Sequence, residues 1–458
     1  MERARAHPGD APPSVPCRTR PSLDTLAMRI APAKKGVCID GVRYDPDDYT
    51  NVPDSILTRV NPFPVLPYTE RHPLAILRAE IERILGDRYR AIRAPSPLVT
   101  AALNFDDLGF PADHPGRRPS DTYYVNQEMC LRTHTSAHEV ETFRSGHLRW
   151  LLTADVFRRD EIDASHYPVF HQMEAASVFT LDEYQRGGLV ERECEAMEAQ
   201  LAETSMEICD EVDLADAGGW QAAHARENPA AVELAVRHLK ATLNTLVHGL
   251  FQPRCALEQT GEEPLKVRWI PAYFPFTSPS FEVEVWFRGR WLEILGTGIV
   301  QQRTLDLAGI PDMLGWAFGL GLERIAMVLF SIPDIRLFWS QDARFLNQFH
   351  GAGAGSAAPL ATFKPYSKYP PCYKDVSFWM PPTFHENDLF ETIRDCAGDL
   401  VEDVACIDDF VHPKSQRRSR CYRVNYRSMD MNLQNDQVNV LHEKVLDVLQ
   451  QRFHLEIR

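Results

Sequence analysis

VFRRDEIDASHYPVFHQMEA, Val156–Ala175, and GWAFGLGLERIAMVLF, Gly315–Phe330, are the stretches on which the reading of this chain turns. In the first, Arg158 closes one apolar segment, and Phe170, Gln172 and Glu174 stand at alternate positions of the next, so three side chains share one face of a strand. An arginine fork, a flat ring and a hydrogen-bonding pair on neighbouring strands meet what an adenine nucleotide requires: a clamp for the α-phosphate, a stacking surface and polar anchors. The competing reading is a hairpin that salt-bridges itself, with Phe170 in the core. The second stretch starts as a glycine-rich strand and becomes a helix with Arg324 on its first turns. Gly319 and Gly321 let backbone approach a ligand closely, and Arg324 would face its phosphates. Neither GxxxxGK[ST] nor GxGxxG is present, which excludes a P-loop and a dinucleotide fingerprint. Alone, GLGLER equally describes close packing of a helix on a sheet.

Working outward, Leu148–Asp160, Pro168–Phe179, Lys266–Phe274, Ser280–Phe287 and Trp291–Val300 have period-two patterning or short buried runs and are expected as strands. Their short connections favour a mixed, mainly antiparallel sheet flanked by helices over a doubly wound parallel one. Helices are expected from Pro73 to Gly86, where Leu74, Ile76, Leu77, Ile81 and Leu85 recur at helical spacing, and from Asn228 and Pro229 through Leu250. A further helix is expected over about Gly315–Phe330, ending before Ser331, Ile332 and Pro333. Small residues dominate Gly351–Ala361, a linker that would let the C-terminal segment swing. Beyond it the order is strand (KDVSFWM), helix (Asp388–Ala397), two strands (LVEDVACIDDF, SRCYRVNYRS), helix (Asp436–Arg452) and a terminal HLEIR, which suits a small ferredoxin-like sandwich. The fold class expected is α+β.

With 44% hydrophobic and 25% charged residues over 458 positions, extensive disorder is excluded. No apolar run reaches the roughly 18 residues of a membrane span. The ten cysteines include no CxxC pair, which argues against a disulfide framework or a structural zinc site. The net charge of −15 hides an asymmetry. Eleven acids against two bases lie between Asp182 and Asp213, read as a solvated helical face, whereas His412–Arg427 holds Lys414, Arg417, Arg418, Arg420, Arg423 and Arg427 with no acid. Tyr422 and Tyr426 are interleaved there, a composition suited to phosphate contact and base stacking, although a solvated strand pair has the same one. The first 35 residues carry five Arg and two Lys against three acids, without a signal-peptide core, and read as a transit peptide or a disordered extension.

The first stretch resembles motif 2 of the class II aminoacyl-tRNA synthetases in Phe157, Arg158, Arg159 and Asp160, and the second resembles their motif 3 in Gly319–Arg324. LRTHTSAH from Leu131, HYPVFHQMEA from His166, YFPFTSPSFEVEV from Tyr273, WLEILGTG from Trp291 and the run from Gly315 to Trp339 narrow the likeness to phenylalanyl-tRNA synthetases of the single-chain, mitochondrial type. The segment from Ser367 onward is similar to that family's ferredoxin-fold anticodon-binding domain, and the likeness covers about Asp54 to the C-terminus.

The resemblance implies ATP-dependent attachment of phenylalanine to its tRNA through an adenylate, with Mg2+, for organellar protein synthesis in the mitochondrial matrix and possibly in plastids. It implies that Arg158 and Arg324 bind ATP phosphates, that Phe170 stacks on adenine, and that His166 lies near the departing pyrophosphate. His134, Ser136, Gln172 and Glu174 would receive the amino acid and adenylate; Phe274 and Phe276 would pack against the substrate ring, with Ala317 as pocket floor. Glu293 is a weaker candidate for a magnesium or ribose contact, and Arg417, Arg418, Arg420 and Arg423 are expected to bind tRNA. The expected organisation is a leader over 1–39, a catalytic domain over 40–350, a flexible linker over 351–365 and an anticodon-binding domain over 366–458, acting as a monomer without a membrane. Two rivals are a synthetase-derived RNA-binding protein without catalysis and a biotin or lipoate ligase of the same fold. Intact Arg158, Glu174 and Arg324 oppose the first, and the C-terminal module opposes the second.

Overall fold

The computed structural model describes residues 36–458 apart from 61–64, 95, 214–220, 222–228, 259–263, 341, 350–360, 366–368, 382–383 and 430. The leader up to residue 35, Asn228 and the linker from Gly351 to residue 360 therefore lie outside the described residues.

Eight strands form the larger sheet: β1 (Arg90–Arg93), β2 (Arg149–Phe157), β3 (Val169–Thr180), β4 (Glu207–Asp210), β5 (Lys266–Ala272), β6 (Thr277–Phe287), β7 (Arg290–Val300) and β8 (Met313–Gly321). Their order is β1-β2-β3-β8-β7-β6-β5-β4. Pairing is antiparallel except at the two edges, β1 on β2 and β4 on β5. The last strand thus lies in the middle, wedged between β3 and β7, and brings the two diagnostic stretches side by side. Ala317 pairs with Ala176, Gly319 with Glu174 and Gly321 with Gln172.

Alternation along these strands sorts two faces. Met173, Ala175 and Phe179 of β3 and Trp316, Phe318 and Leu320 of β8 point into the main core, against the helices Pro73–Leu85, Pro229–Glu258 and Leu322–Phe330. Trp316 Nε1 donates to His238 Nδ1 of the long helix at 3.0 Å, which satisfies a buried indole. The opposite face of the same strands bears Phe170, Gln172 and Glu174 beside Ala317, Gly319 and Gly321.

Two expectations need correction. The helix expected from Gly315 begins only at Leu322, because Gly315–Gly321 is central strand with partners on both sides. A Cβ on Gly315 would stand 2.0 Å from the Ser177 carbonyl oxygen, so glycine is what lets β8 lie this close to β3. The acidic run is not one solvated helix: Leu189–Ala202 is helical, Glu207–Asp210 is β4, and Glu193 is drawn inward to Arg149 at 2.7 Å and His238 at 3.0 Å.

The C-terminal module consists of β9 (Cys372–Trp379), β10 (Val401–Val411), β11 (Arg418–Tyr426) and β12 (Glu456–Ile457) in the order β10-β11-β9-β12, with helices Glu386–Ala397 and Asn435–Phe453. This is the ferredoxin-like arrangement. Residues at the far end of the expected linker belong to the larger domain: Phe363 is buried in the main core, and its N–H donates to Phe330 O at 2.7 Å.

The module is docked. Ion pairs link Arg159 to Asp388 (3.0 Å) and Arg59 to Asp399 (2.9 Å), Tyr123 donates to Glu391 (2.6 Å), and Arg394 donates to the carbonyls of Asp160 and Glu161 (2.9 and 3.1 Å). Ile162, from the loop between β2 and β3, is buried in the module's own core.

Candidate active site

On the face opposite the helices, a cavity of about 690 Å³ opens over β3, β8 and β7. It is lined by His134, Ser136, Arg158, His166, Phe170, Gln172, Glu174, Phe274, Phe276, Glu293, Ala317 and Arg324, so the structure brings every candidate substrate and ATP residue into one trough. The floor is hollow because its residues are small. A Cβ built on Gly319 or Gly321 meets nothing within 4 Å, which leaves backbone exposed to whatever fills the trough.

At one end, Arg158 donates from Nε to Thr133 O at 2.8 Å, and its guanidinium lies 5.2 Å from the centre of the Phe170 ring. No carboxylate pairs with it among the described residues, and burial pulls its pKa down. A desolvated cation with no carboxylate in contact, only the charge of Asp160 nearby, is poised for an anion. Arg324 is half exposed and, among the described residues, pairs with Glu293 at 3.4 Å. His166 shares a hydrogen bond of 2.7 Å with Asp163, which raises the imidazole pKa and favours its cation.

At the other end, four rings form a cluster, in which Phe110, His134 and Phe276 each lie within about 6 Å of the other two. Phe110 stacks on His134 (5.5 Å, 10°), His134 on Phe276 (6.0 Å, 23°) and Phe276 on Phe274 (5.9 Å, 22°). Gly296 makes room for the last ring, since a Cβ there would come within 2.6 Å of Phe274 Cζ. Both ring nitrogens of His134 are buried and make no hydrogen bond among the described residues, and burial beside Arg158 pushes its pKa down to about 3, so it presents neutral polar edges. Ser136 Oγ donates to Glu174 at 3.1 Å, and the Thr135 N–H donates to Gln172 Oε1 at 3.3 Å. Burial pushes the Glu174 carboxyl up to about 7, a group awaiting a positive charge. An aromatic slot with a carboxylate and neutral polar groups at its rim fits an aromatic amino acid, and the arginine end fits a nucleotide. Asp160, Glu161 and His166 have ligand atoms all within 4.8 Å of one another; with His166 favoured as a cation, the two carboxylates are the oxygen donors this group offers a hard divalent ion.

Residues 62–184 and 230–349 match the family described as tRNA synthetases class II core domain (F), and 367–458 match the ferredoxin-fold anticodon binding domain. The chain is 43% identical to the mitochondrial phenylalanine–tRNA ligase of Saccharomyces cerevisiae, over 92% of this chain and 94% of the relative. The chain belongs to the class II phenylalanine–tRNA ligases. It is also 41% identical to the chloroplastic/mitochondrial ligase of Arabidopsis thaliana, over 92% of this chain and 85% of that one, and 40% identical to the mitochondrial ligase of Mus musculus, over 96% and 92%. Class II synthetases use ATP as a substrate together with divalent metal ions.

Three contributors to this ligase site were not picked out as such in the sequence. Phe110 sits in an irregular loop with no periodic signal. Asn387 reaches the cavity from the module, donating to the carbonyls of Ser120 and Arg159. Arg159 carried a signal, since two successive residues of an extended segment point to opposite sides: Arg158 faces the trough and Arg159 the module.

In the C-terminal basic patch each of the four arginines has an acidic partner. Arg417 pairs with Glu456 (2.5 Å), Arg418 with Asp409, Arg420 with Glu386 (2.6 Å) and Asp409 (3.0 Å), and Arg423 with Asp375 (2.8 Å). Those acids come from other segments, out of reach of a count along the chain. Tyr422 and Tyr426 are buried under the module's helices and offer no stacking surface.

Proposed function

We propose that this chain attaches phenylalanine to tRNA(Phe) in two steps, for protein synthesis in the mitochondrial matrix and possibly in plastids. Phenylalanine enters the aromatic slot with its ring beside Phe274 and Phe276 over Ala317, and its ammonium meets Glu174, Gln172 and Ser136. ATP stacks its adenine on Phe170. The amino-acid carboxylate attacks the α-phosphorus, the bond to the bridging oxygen breaks, and pyrophosphate leaves past His166 and Arg324. No side-chain nucleophile takes part; Arg158 stabilises charge on the α-phosphate, and the site holds the two reactants in line. The ribose 2′-hydroxyl of the tRNA terminus then attacks the mixed anhydride and releases AMP. The divalent ion in this reading is Mg2+, which Asp160 or Glu293 at the arginine end would hold and which would neutralise charge on the phosphates when bound.

The observation that carries the proposal is the pairing in one trough of a buried arginine, over an aromatic ring and without an ion-pair partner among the described residues, with an aromatic slot rimmed by Glu174. The division into leader (1–39), catalytic domain (40–350), linker (351–365) and anticodon-binding domain (366–458) belongs to the same proposal, with one chain acting as a monomer. Light scattering that finds a stable dimer at micromolar concentration would overturn the monomer. The decisive experiment is ATP–pyrophosphate exchange with each of the twenty amino acids: phenylalanine should dominate, and exchange with none of them would exclude the ligase.

A further inference from the structure

On its β8 side, strand β3 has a backbone neighbour only as far as Gln172, which pairs with Gly321, the last residue of β8. There the chain turns into the helix Leu322–Phe330, and His171, the next residue of β3, stands beyond the end of the ladder. Glu323, on the first turn of that helix, fills the gap with its side chain: Oε2 accepts the His171 N–H at 2.8 Å, and Oε1 is hydrogen-bonded to His171 Nδ1 at 2.7 Å. Both oxygens of one carboxylate therefore serve one residue, and both side chains are buried. The imidazole also stacks on Trp339 (5.9 Å, 29°), and Trp339 on Tyr167 (5.5 Å, 26°), which holds the ring in place.

A pair that only satisfied the core could stand anywhere in it, but this one joins the two halves of the nucleotide trough. His171 lies between Phe170 and Gln172, whose side chains face the trough while its own points the other way. Glu323 precedes Arg324 and itself borders the cavity. Arg324 is long and half exposed, and its exposed pairing with Glu293 fixes it little, so its reach is set by where the first turn of the helix stands.

We infer that His171 and Glu323 are positioning residues that act as a spacer for ATP, fixing the distance between the adenine platform at Phe170 and the phosphate-binding Arg324. The inference rests on the reading of the trough as an ATP site and adds what holds its two ends in register. A ligand that touches both ends gains from their fixed spacing, because the second contact follows from the first, whereas a ligand that touches one end does not. Two hydrogen bonds from one residue to one carboxylate resist rotation as a single bond would not. A misplacement of about 1 Å can cost about a hundred-fold in rate, so a modest slip between strand and helix is enough to be read in the kinetics.

The test measures phenylalanine-dependent pyrophosphate exchange by the full chain, with adenosine and inorganic tripolyphosphate as competitive inhibitors that each fill one end of the trough. Glu323→Ala should raise KM for ATP about ten-fold and lower kcat, with KM for phenylalanine and the inhibition constants of adenosine and tripolyphosphate all within about two-fold of wild type. Glu323→Gln, whose amide can still accept from the His171 N–H and meet Nδ1, should restore KM for ATP. His171→Asn, which keeps a polar atom near the Nδ1 position, should do so relative to His171→Leu. Glu323→Asp keeps the carboxylate but withdraws it by one methylene; it should raise KM for ATP about three-fold and carries the test if Glu323→Ala does not fold. A wild-type KM for ATP in folded Glu323→Ala or Glu323→Asp, even with a lowered Tm, overturns the spacer. Inhibition constants that rise as much as KM for ATP also overturn it, since the pair would then shape one end and not the spacing. Absence of phenylalanine-dependent exchange in the wild type overturns the ligase reading instead, while calorimetric ATP binding weakened about ten-fold in Glu323→Ala would still support the spacer.

Discussion

Arg158 and Arg418 both stand in arginine-rich stretches and both suggest a phosphate contact, yet the fold treats them in opposite ways. Arg158 is drawn into a cavity where a backbone carbonyl and a ring surround it and no carboxylate pairs with it among the described residues. Arg418 is neutralised on the surface by Asp409, a residue of the neighbouring strand. A cation signals anion binding when the tertiary structure withholds its counter-charge, and density of arginines along the chain is a poor substitute for that test.

The sharpest way to break this contrast is Arg158→Ala. Loss of a charge-assisted phosphate contact in a desolvated site should cost about 2–4 kcal/mol of transition-state stabilisation and collapse pyrophosphate exchange while the circular dichroism spectrum is kept. Wild-type exchange by the folded variant would remove Arg158 from the site. The two glycine environments of β8 sharpen the same point. Gly315→Ala forces a Cβ against the Ser177 carbonyl and should destabilise the fold by about 1–3 kcal/mol, whereas Gly319→Ala projects into the open trough and should raise KM for ATP with little change in Tm. Equal melting temperatures for the two variants would contradict this assignment of the faces.

Glu174 provides a test by pH. Its carboxyl, pushed up to about 7 by burial, must ionise to hold the substrate ammonium, so KM for phenylalanine should rise toward ten-fold per pH unit as pH falls below about 7. The stability effect has the opposite sign: the folded state holds a proton that the unfolded state has lost between its ordinary carboxylate pKa and about 7, so this group makes the fold less stable as pH rises through that window. Glu174→Gln should flatten the KM profile; a profile of unchanged slope would move the ammonium elsewhere. A smaller effect is expected from Ala317→Gly, which deletes one methyl from the pocket floor and should improve kcat/KM for para-chlorophenylalanine relative to phenylalanine several-fold. The smallest comes from Arg418→Ala with Arg420→Ala, whose partners are on the module itself. Exchange should be untouched and tRNA affinity should change by about two-fold or less per residue. A much larger loss of tRNA affinity would show that these ion pairs give way to RNA phosphates.

Much of the molecule was legible because its periodicities are local. Alternation marked β2, β3 and β5–β7, helical spacing marked Pro73–Leu85 and Pro229–Glu258, and the order of elements marked the ferredoxin-like module. The helix boundary at Leu322 was misplaced because an apolar, glycine-bearing run satisfies both periods, and only pairing with β3 and β7 selects the strand. Phe110 and Asn387 escaped because a loop residue has no pattern, and it enters a site through where its loop comes to rest.

By itself, the sequence determined the residue types that chemistry needs, the alternation that turns Phe170, Gln172 and Glu174 to one side, and the membership of the chain in its family. The tertiary structure decided which charges remain uncompensated, which face of each sheet is open, and how a module distant along the chain comes to rest on the loop that carries Arg158 and Arg159. The physical reason is range: backbone periodicity and side-chain type act over a few residues, whereas desolvation and ion pairing depend on neighbours that only the folded chain supplies.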